Sequence, residues 1–253
     1  MPRYFLEVAY KGTHFSGFQA HNNANTIQGE INKVLSILCK EEIQTTTSSR
    51  TDAGVHAHQN FLHFDCEKSL HEKIAYNVNA MLHKDIFVVG LYLVHDNAHA
   101  RFDATGRNYH YYLIQHKNPF LYDTSYFFPF TLNVKKMQEA CSLIIGEHDF
   151  TSFSKKHSEV NNNRCTIQEA NWIRNEHGQI VFKIVGNRFL RGMVRGIVGT
   201  LLLVGREKLN KTDFSTILQS KDNTLADFSA DASGLFLHKV MYPSTIKKNN
   251  PDL

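Results

Sequence analysis

The sequence lacks the features that mark membrane and secreted proteins. No apolar run reaches ~18–20 residues without a charge, which is the length that a transmembrane helix needs. The first residues, 1–7, have neither the basic start nor the apolar core of a signal peptide. Four cysteines are scattered without a CxxC pair, at Cys39, Cys66, Cys141 and Cys165. We therefore expect a cytoplasmic protein whose cysteines are buried and reduced.

Motifs for common cofactors and metals are also missing. There is no GxxxxGK[ST] phosphate loop, no glycine triplet of a dinucleotide-binding fold and no GxSxG nucleophile turn. Among the fifteen histidines, His56 and His58 form the best pair on one predicted strand face. A catalytic zinc site needs three protein ligands, and His63 has the wrong parity on that strand. We expect no cofactor and no metal.

The composition is that of an ordinary folded protein with a mild excess of positive charge. A chain of 253 residues with 42% apolar residues can form one large or two medium domains. The net charge of +4 is too small to indicate a nucleic-acid partner by itself. The distribution of the charge is more informative, because the basic residues cluster near aromatic or glycine-rich stretches. Such clusters either contact phosphates or form solvated faces. These residues are Arg101, Arg107, Lys155, Lys156, Arg164, Arg188, Arg191 and Arg195.

The order of predicted elements indicates two related α+β halves. The first half reads strand, helix, strand, strand, helix, strand, which is the split βαβ pattern of a ferredoxin-like unit. The second half repeats this pattern, and we place the boundary near Thr105, with domains at 1–105 and 106–253. We expect a mainly antiparallel sheet flanked by helices and an active-site cleft between the halves. The predicted segments are 3–10, 27–38, 43–48, 59–65, 74–81, 86–94, 109–115, 134–145, 167–174, 179–186, 192–204, 212–219 and 234–240.

The stretch Ser49–His58 connects two predicted strands and carries one carboxylate, Asp52. An Asp before Ala-Gly is commonly a turn residue that bonds its own backbone. Arg50, two positions earlier, favours a functional interpretation, since a guanidinium nearby would hold the carboxylate ionised. A functional acid on a short connection between strands is well positioned.

Three further segments contain candidate functional residues. Tyr109 begins a strand near cationic residues, where an aromatic ring either packs or stacks on a base. Arg195 lies among apolar residues of a glycine-rich helix and therefore requires an anionic partner. That partner is Asp52 or one of three other carboxylates, Asp213, Asp227 and Asp231. The short apolar strand at Leu235 is interpreted as core.

Five motifs in this order resemble those of the tRNA pseudouridine synthase A family. Residues 49–57 resemble its Gly-Arg-Thr-Asp-Ala-Gly-Val-His-Ala signature, and residues 99–109 its His-Ala-Arg-Phe…Tyr segment. The other three are at 146–153, 186–199 and 234–237, so the resemblance covers the chain nearly end to end. Ser49 replaces a Gly of the family, Phe236 replaces a Tyr, and Arg191-Gly192 stands where an aromatic residue and a His are usual. The missing His removes any RNA contact that it would make.

The resemblance implies an activity and a set of roles. It implies that Asp52 is the catalytic aspartate, that Arg195 is paired with it, and that Tyr109 stacks on the target uracil. Leu235 would form an apolar wall, and Arg50 would contact the RNA where the nucleotide leaves the stack. We also assign Asn187, Arg101 and Arg107 to substrate binding. The implied substrate is uridine at nucleotides 38 to 40 of tRNA, and the implied assembly is a homodimer in which one tRNA touches both subunits.

Two other functions remain possible from the residues alone. A doubled ferredoxin-like fold with aromatic strands and basic patches could bind RNA without transforming it. A histidine-dependent metal hydrolase is the second alternative, and a chelator would abolish its activity.

Overall fold

A computed structural model of the chain describes residues 1–21, 23–71, 73–155 and 162–246. Lys156 of the basic clusters lies outside these residues. The chain divides into two compact units, Met1–Thr105 with Leu237–Leu253, and Gly106–Phe236. The segment from Leu237 thus groups with the first unit and not with the residues 106–236 that precede it. Backbone and side-chain hydrogen bonds explain this grouping, since Thr105 N donates to Met241 O at 2.8 Å and Val240 N donates to the Gln59 side chain at 3.1 Å.

The first unit is a ferredoxin-like α+β unit. Strand β1 pairs antiparallel with both β3 and β4, and β2 pairs with β3, which gives the order β4-β1-β3-β2. Helix α1 is capped by the Thr26 side chain, which accepts a hydrogen bond from Gly29 N and so satisfies one orphan donor. Its elements are β1 (Arg3–Tyr10), α1 (Ile27–Cys39), β2 (Thr46–Thr47), β3 (His56–Asp65), α2 (Lys73–Met81) and β4 (Ile86–Val94).

The second unit repeats the arrangement with additions. Strands β5, β9, β8 and β7 pair antiparallel in that order, and the first residues of β10 lie beside β5. The short strand β6 pairs parallel with the end of β5. Its elements are β5 (Gly106–Ile114), β6 (Tyr126–Phe127), α3 (Val134–Cys141), β7 (Gly146–Asp149), β8 (Arg164–Arg174), β9 (Ile180–Gly186), α4 (Met193–Gly205), α5 (Lys211–Ser220) and β10 (Leu235–Met241). The predicted α+β class with two split βαβ patterns is confirmed.

Local hydrogen bonds account for the main differences from the predicted boundaries. The strand predicted over 43–48 is only Thr46–Thr47, because side chains of α1 occupy the preceding backbone: Ile43 N donates to Ser36 Oγ at 2.9 Å and Thr45 N to Asn32 Oδ1 at 3.2 Å. The helix predicted over 134–145 ends at Cys141 and continues as a single 3-10 turn over Ser142–Ile144. The strands β6 and β7 have no clear sequence signal because they are only two and four residues long.

Within the described part of the chain, no helix is long and apolar enough to cross a membrane. All four cysteines are free and buried, as the sequence predicts.

Candidate active-site segments

Asp52 lies on a tight turn between β2 and β3. Its own carbonyl accepts a hydrogen bond from Val55 N at 3.2 Å, and its side chain is half-buried. The turn interpretation is therefore confirmed for the backbone of Asp52. Arg50 is exposed, and within the described residues of the first unit no hydrogen bond or ion pair joins it to Asp52. Among these residues, the structure therefore shows no direct support of the Asp52 carboxylate by Arg50.

A buried polar network holds the backbone on both sides of this turn. Asn60 is fully buried, accepts from Ser48 Oγ at 2.7 Å and donates to Ser49 O at 3.0 Å. It also donates to the hydroxyl of Tyr10 at 3.2 Å, which in turn bonds Thr51 Oγ1 at 2.8 Å. Every residue of this network is buried, so a hydrogen bond lost from it is not readily replaced by one to water.

The loop after β1 supports the same turn by direct backbone contact. Gly12 N donates to Nδ1 of the fully buried His56 at 3.0 Å, and Phe18 N donates to Thr51 O at 3.0 Å. A Cβ at Gly12 would lie 2.0 Å from Val55 O, which no real side chain can do. Gly12 is therefore needed for this close approach. No sequence pattern indicated this supporting role.

The histidine pair considered for a metal is separated by an irregularity in β3. The register between β1 and β3 shifts between Val8 and Tyr10, so His56 is buried whereas His58 is exposed. Among the described residues, no group of three His, Cys, Asp or Glu side chains could hold a metal ion.

In the second unit, Tyr109 lies near the start of β5 and is 9% exposed. Its ring meets Phe189 edge to face, with centroids 5.1 Å apart. Phe189 belongs to the loop between β9 and α4, and sequence patterns did not indicate a role for it. Leu235 begins β10 and is 7% exposed. Gly234 before it approaches the ring of Tyr111 so closely that a Cβ would lie 2.8 Å from two ring carbons.

Arg195 projects from the first turn of α4 toward a short segment of the same unit. Its Nε donates to Ala230 O at 2.7 Å, and its side chain is half-buried. Tyr111 donates to the next carbonyl, that of Asp231, at 2.6 Å. Burial tends to raise the pKa of Asp231, but hydrogen bonds from Ser233 and the charge of Arg195 outweigh it and lower that pKa. Within the second unit, Arg195 is therefore held by a carbonyl and influences Asp231, while its two terminal nitrogens have no further hydrogen-bond partner among the described residues of that unit.

The glycines of α4 permit this contact. A Cβ at Gly199 would lie 2.2 Å from Asp227 O, and one at Gly196 would lie 2.7 Å from the ring of Phe228. Gly196 and Gly199 thus face the loop 227–230, whereas Gly205 at the end of the helix lies against Met137 of α3. At the N-terminus of α4, Gly192 is covered by the alkyl chain of Lys155, whose Cγ lies 2.9 Å from the position of a Cβ.

The remaining predicted substrate contacts differ in exposure. Arg107 is 9% exposed and its Nη1 donates to Asn187 O at 3.0 Å. The Asn187 side chain accepts from Thr166 N at 2.9 Å and from Arg188 N at 2.7 Å, so it shapes the β9–α4 loop. Arg101 is exposed in the first unit, with its guanidinium 5.7 Å from the ring centroid of Phe102.

Comparison with known proteins finds relatives that match this chain over almost its whole length. A family model described as "tRNA pseudouridine synthase" matches residues 7–103 and 140–243. A protein of Parabacteroides distasonis named tRNA pseudouridine synthase A is 43% identical, over 97% of this chain and 98% of its own length. A protein of Porphyromonas gingivalis with the same name is 42% identical, over 97% and 99%. Among solved structures, a Cbf5-Nop10-Gar1 complex aligns with a TM-score of 0.34 at 12% identity, covering 78% of this chain and 54% of that one.

Proposed function

The chain belongs to the tRNA pseudouridine synthase family, and we propose that it isomerises uridine to pseudouridine at nucleotides 38 to 40 of the tRNA anticodon stem-loop. The observation that carries this proposal is the family match over both units, together with a half-buried Asp52 on a turn that a buried network fixes. Such an enzyme is an isomerase.

The reaction requires a carboxylate and no redox partner. The N1–C1′ bond of uridine breaks, the released uracil turns, and its C5 forms a bond to the same C1′. C5 loses a proton and N1 gains one, so atoms and electrons balance within the nucleotide. Asp52 either attacks C1′ as a nucleophile, as in retaining glycosidases, or removes the 2′ proton to give a glycal. Both routes need an ionised Asp52 with little freedom, and the fixed turn supports this role.

We assign the residues of the second unit to two roles, which are holding the uracil base and pairing with the negative charge of Asp52. We assign Tyr109 to stacking on the uracil and Leu235 to the opposite wall, an arrangement that retains the base while it rotates. Arg195 serves as the cation for Asp52. This role is supported by its anchorage at Ala230 O through Nε, which leaves the two terminal nitrogens for a carboxylate.

The remaining contacts are assigned to RNA. The glycosidic bond is inaccessible inside a stem, so the nucleotide must leave the stack at a cost of a few kcal/mol. Arg50 and Arg101 are exposed and suited to phosphates that offset this cost. Arg107 and Asn187 act through the shape of the β9–α4 loop, since both are engaged in its hydrogen bonds.

Two further features of the proposal concern assembly and location. We propose a homodimer in which one tRNA contacts both subunits, which light scattering of the purified protein would test. A tRNA substrate and four free thiols support activity in the cytoplasm.

The test measures release of tritium from C5 of uridine in unmodified tRNA. The wild-type protein should release tritium, and Asp52→Asn should reduce the rate at least about 10³-fold with tRNA affinity retained. Glu42→Gln, at an exposed carboxylate before the turn, is the matched control and should keep full activity.

Two results would overturn the proposal. Absence of release by the wild-type protein at every salt concentration would exclude the isomerase. Full activity of Asp52→Asn would exclude the aspartate and favour an RNA-binding module. Arg195→Lys sharpens the assignment of roles, because it keeps the charge but not the forked geometry and should lower kcat more than affinity.

A further inference from the structure

We propose that a second surface of the Gly106–Phe236 unit binds an unpaired nucleotide of the substrate RNA. This surface, called the aromatic–basic patch, lies at the end of β5 opposite to Tyr109. The proposal rests on the tRNA substrate of the proposed function and adds a contact outside the reacting nucleotide. The patch consists of Phe120, Tyr122, Phe130, Lys117, Arg174 and Arg206.

The aromatic side chains of the patch are held in solvent by an ordered turn. Phe120 is 93% exposed, Tyr122 73% and Phe130 45%. Phe120 N donates to Asn118 Oδ1 at 2.9 Å, and Leu121 N donates to Asn118 O at 3.1 Å. These rings add almost nothing to the core, yet the backbone beneath them is fixed. Exposed aromatic rings on a fixed turn are typical of a binding surface.

Three hydrogen bonds join the pieces of the patch. Gln115, at the end of β5, donates to Phe130 O at 2.8 Å and accepts from Arg174 Nη2 at 3.3 Å. At the other end of the loop, Gln179 donates to the buried Ser125 Oγ at 2.7 Å. The loop, the β8–β9 hairpin and Phe130 are therefore parts of one surface.

The charges of the patch favour RNA over an apolar protein surface. Lys117 and Arg174 are exposed, and the guanidinium carbon of Arg206 lies 3.8 Å from the ring centroid of Phe130. Of the nearby acids, Glu207 is bonded to Lys136 at 2.9 Å and Glu176 lies 3.7 Å from His177, whereas Asp123 is half-buried. Cations beside exposed rings are the combination that binds single-stranded nucleic acid, by phosphate contact and base stacking.

The patch is fixed relative to Tyr109 and is distant from it. The six residues from Tyr109 to Ile114 make five steps along the strand and extend over about 17 Å. A series of ring contacts runs in the same direction, with centroid distances of 6.4 Å from Tyr111 to Tyr126, 5.5 Å to Phe128 and 5.1 Å to Phe130. A nucleotide on the patch is thus a different one from the target uridine, and the patch acts in binding and not in chemistry.

The test uses the double variant Phe120→Ala/Tyr122→Ala in the full-length protein. Its Kd for unmodified tRNA should rise about tenfold, which is the scale of one lost stacked base, while kcat and the melting temperature stay unchanged. Tyr76→Ala is the matched control, because Tyr76 is 78% exposed on α2 of the other unit, and its Kd should not change.

Salt dependence and RNA length identify what the patch holds. Lys117→Ala should reduce the slope of log Kd against log salt by about one phosphate contact, whereas the aromatic double variant should keep the slope. A tenfold loss of affinity that is seen for full-length tRNA but not for an isolated stem-loop RNA places the bound nucleotide outside the anticodon stem-loop. An equal loss for an isolated stem-loop RNA places it within the stem-loop.

Two results would overturn this inference. An unchanged Kd of the double variant for both RNAs would remove the nucleotide contact. Conversion of a dimer to a monomer by the double variant, seen by light scattering, would show that the rings cover a second copy of the chain. Failure of the proposed function is distinguishable, because the wild-type protein would then release no tritium whatever the affinities of the variants.

Discussion

The two segments that carry the proposed catalytic groups are fixed by different kinds of contact. The Asp52 turn is held by a closed set of buried side-chain hydrogen bonds around Asn60. Arg195 is held by close backbone packing at Gly199 and by a single carbonyl, that of Ala230. A polar network requires every partner to be present, whereas close packing requires only that no atom is added. The first unit should therefore be more sensitive to lost polar groups and to acid than the second.

Adding one carbon to Gly12 should produce the largest effect. Gly12→Ala places a Cβ 2.0 Å from Val55 O, and backbone must move to relieve the contact. We expect a loss of about 3 kcal/mol or more in the free energy of unfolding, together with loss of activity. Chemical denaturation measures the first and tritium release the second.

Gly178→Ala is the control for that variant. No atom lies within 4 Å of a Cβ at Gly178, and its φ of +74° leaves only backbone strain. Its cost should be about 1 kcal/mol with full activity. Equal losses for the two variants would contradict the steric explanation.

Acid should destabilise the first unit before the second. Burial lowers the pKa of His63 to about 4, and the charges of His99 and Arg3 act in the same direction. Neutral His63 accepts from Ala100 N at 3.1 Å. The unfolded chain binds a proton at His63 more strongly than the folded chain does. The contribution of neutral His63 to stability is therefore complete above pH ~6.5 and is lost as the pH falls toward 4. The loss amounts to up to about 3 kcal/mol.

Hydrogen exchange between pH 7 and 4.5, corrected for the intrinsic rates, would compare the two units. Amides around Ala100 should lose protection before those of α4. His63→Gln keeps an acceptor without a titrating group and should flatten this pH dependence. An unchanged pH dependence in that variant would exclude His63 as the cause.

Removal of the central amide should cost somewhat less. Asn60→Ala removes the hydrogen bonds that its amide makes with the Ser48 hydroxyl, the Ser49 carbonyl and the Tyr10 hydroxyl, all of which are buried. We expect a loss of about 2 to 3 kcal/mol in the free energy of unfolding and a lower kcat, since the turn can then shift. A fall in KM alone, with unchanged stability, would be inconsistent with a supporting network.

The corresponding change in the second unit should have the smallest effect. Thr200 accepts from Asp227 N at 3.0 Å, and Thr200→Val keeps the shape while removing that bond. We expect a loss of about 1 kcal/mol, because Gly199 and Arg195 still hold the loop. If Thr200→Val costs as much as Asn60→Ala in the same denaturation experiment, the contrast between the two regions is wrong.

Long periodic segments and motifs were predictable from the sequence, and irregular supports were not. The strands β1 and β4 have the predicted bounds, and α1 begins at the predicted Ile27, because apolar residues at regular spacing mark them. The strand before Asp52 was predicted too long, since Asn32 and Ser36 compete for its backbone from a helix distant in sequence. Phe189 and Asn60 gave no signal, because a single ring or amide has no period.

The sequence by itself determined the class of fold, the family and the identity of the candidate carboxylate. These follow from repeated alternation, helical spacing and five motifs in order, all of which are properties of residues close together in the chain. Only the tertiary structure decided what holds each candidate in place: Asn60, Gly12 and His56 at the Asp52 turn, and Ala230 at Arg195. The physical reason is that hydrogen bonds and close contacts between distant segments depend on distances of a few ångströms, which local patterns do not encode.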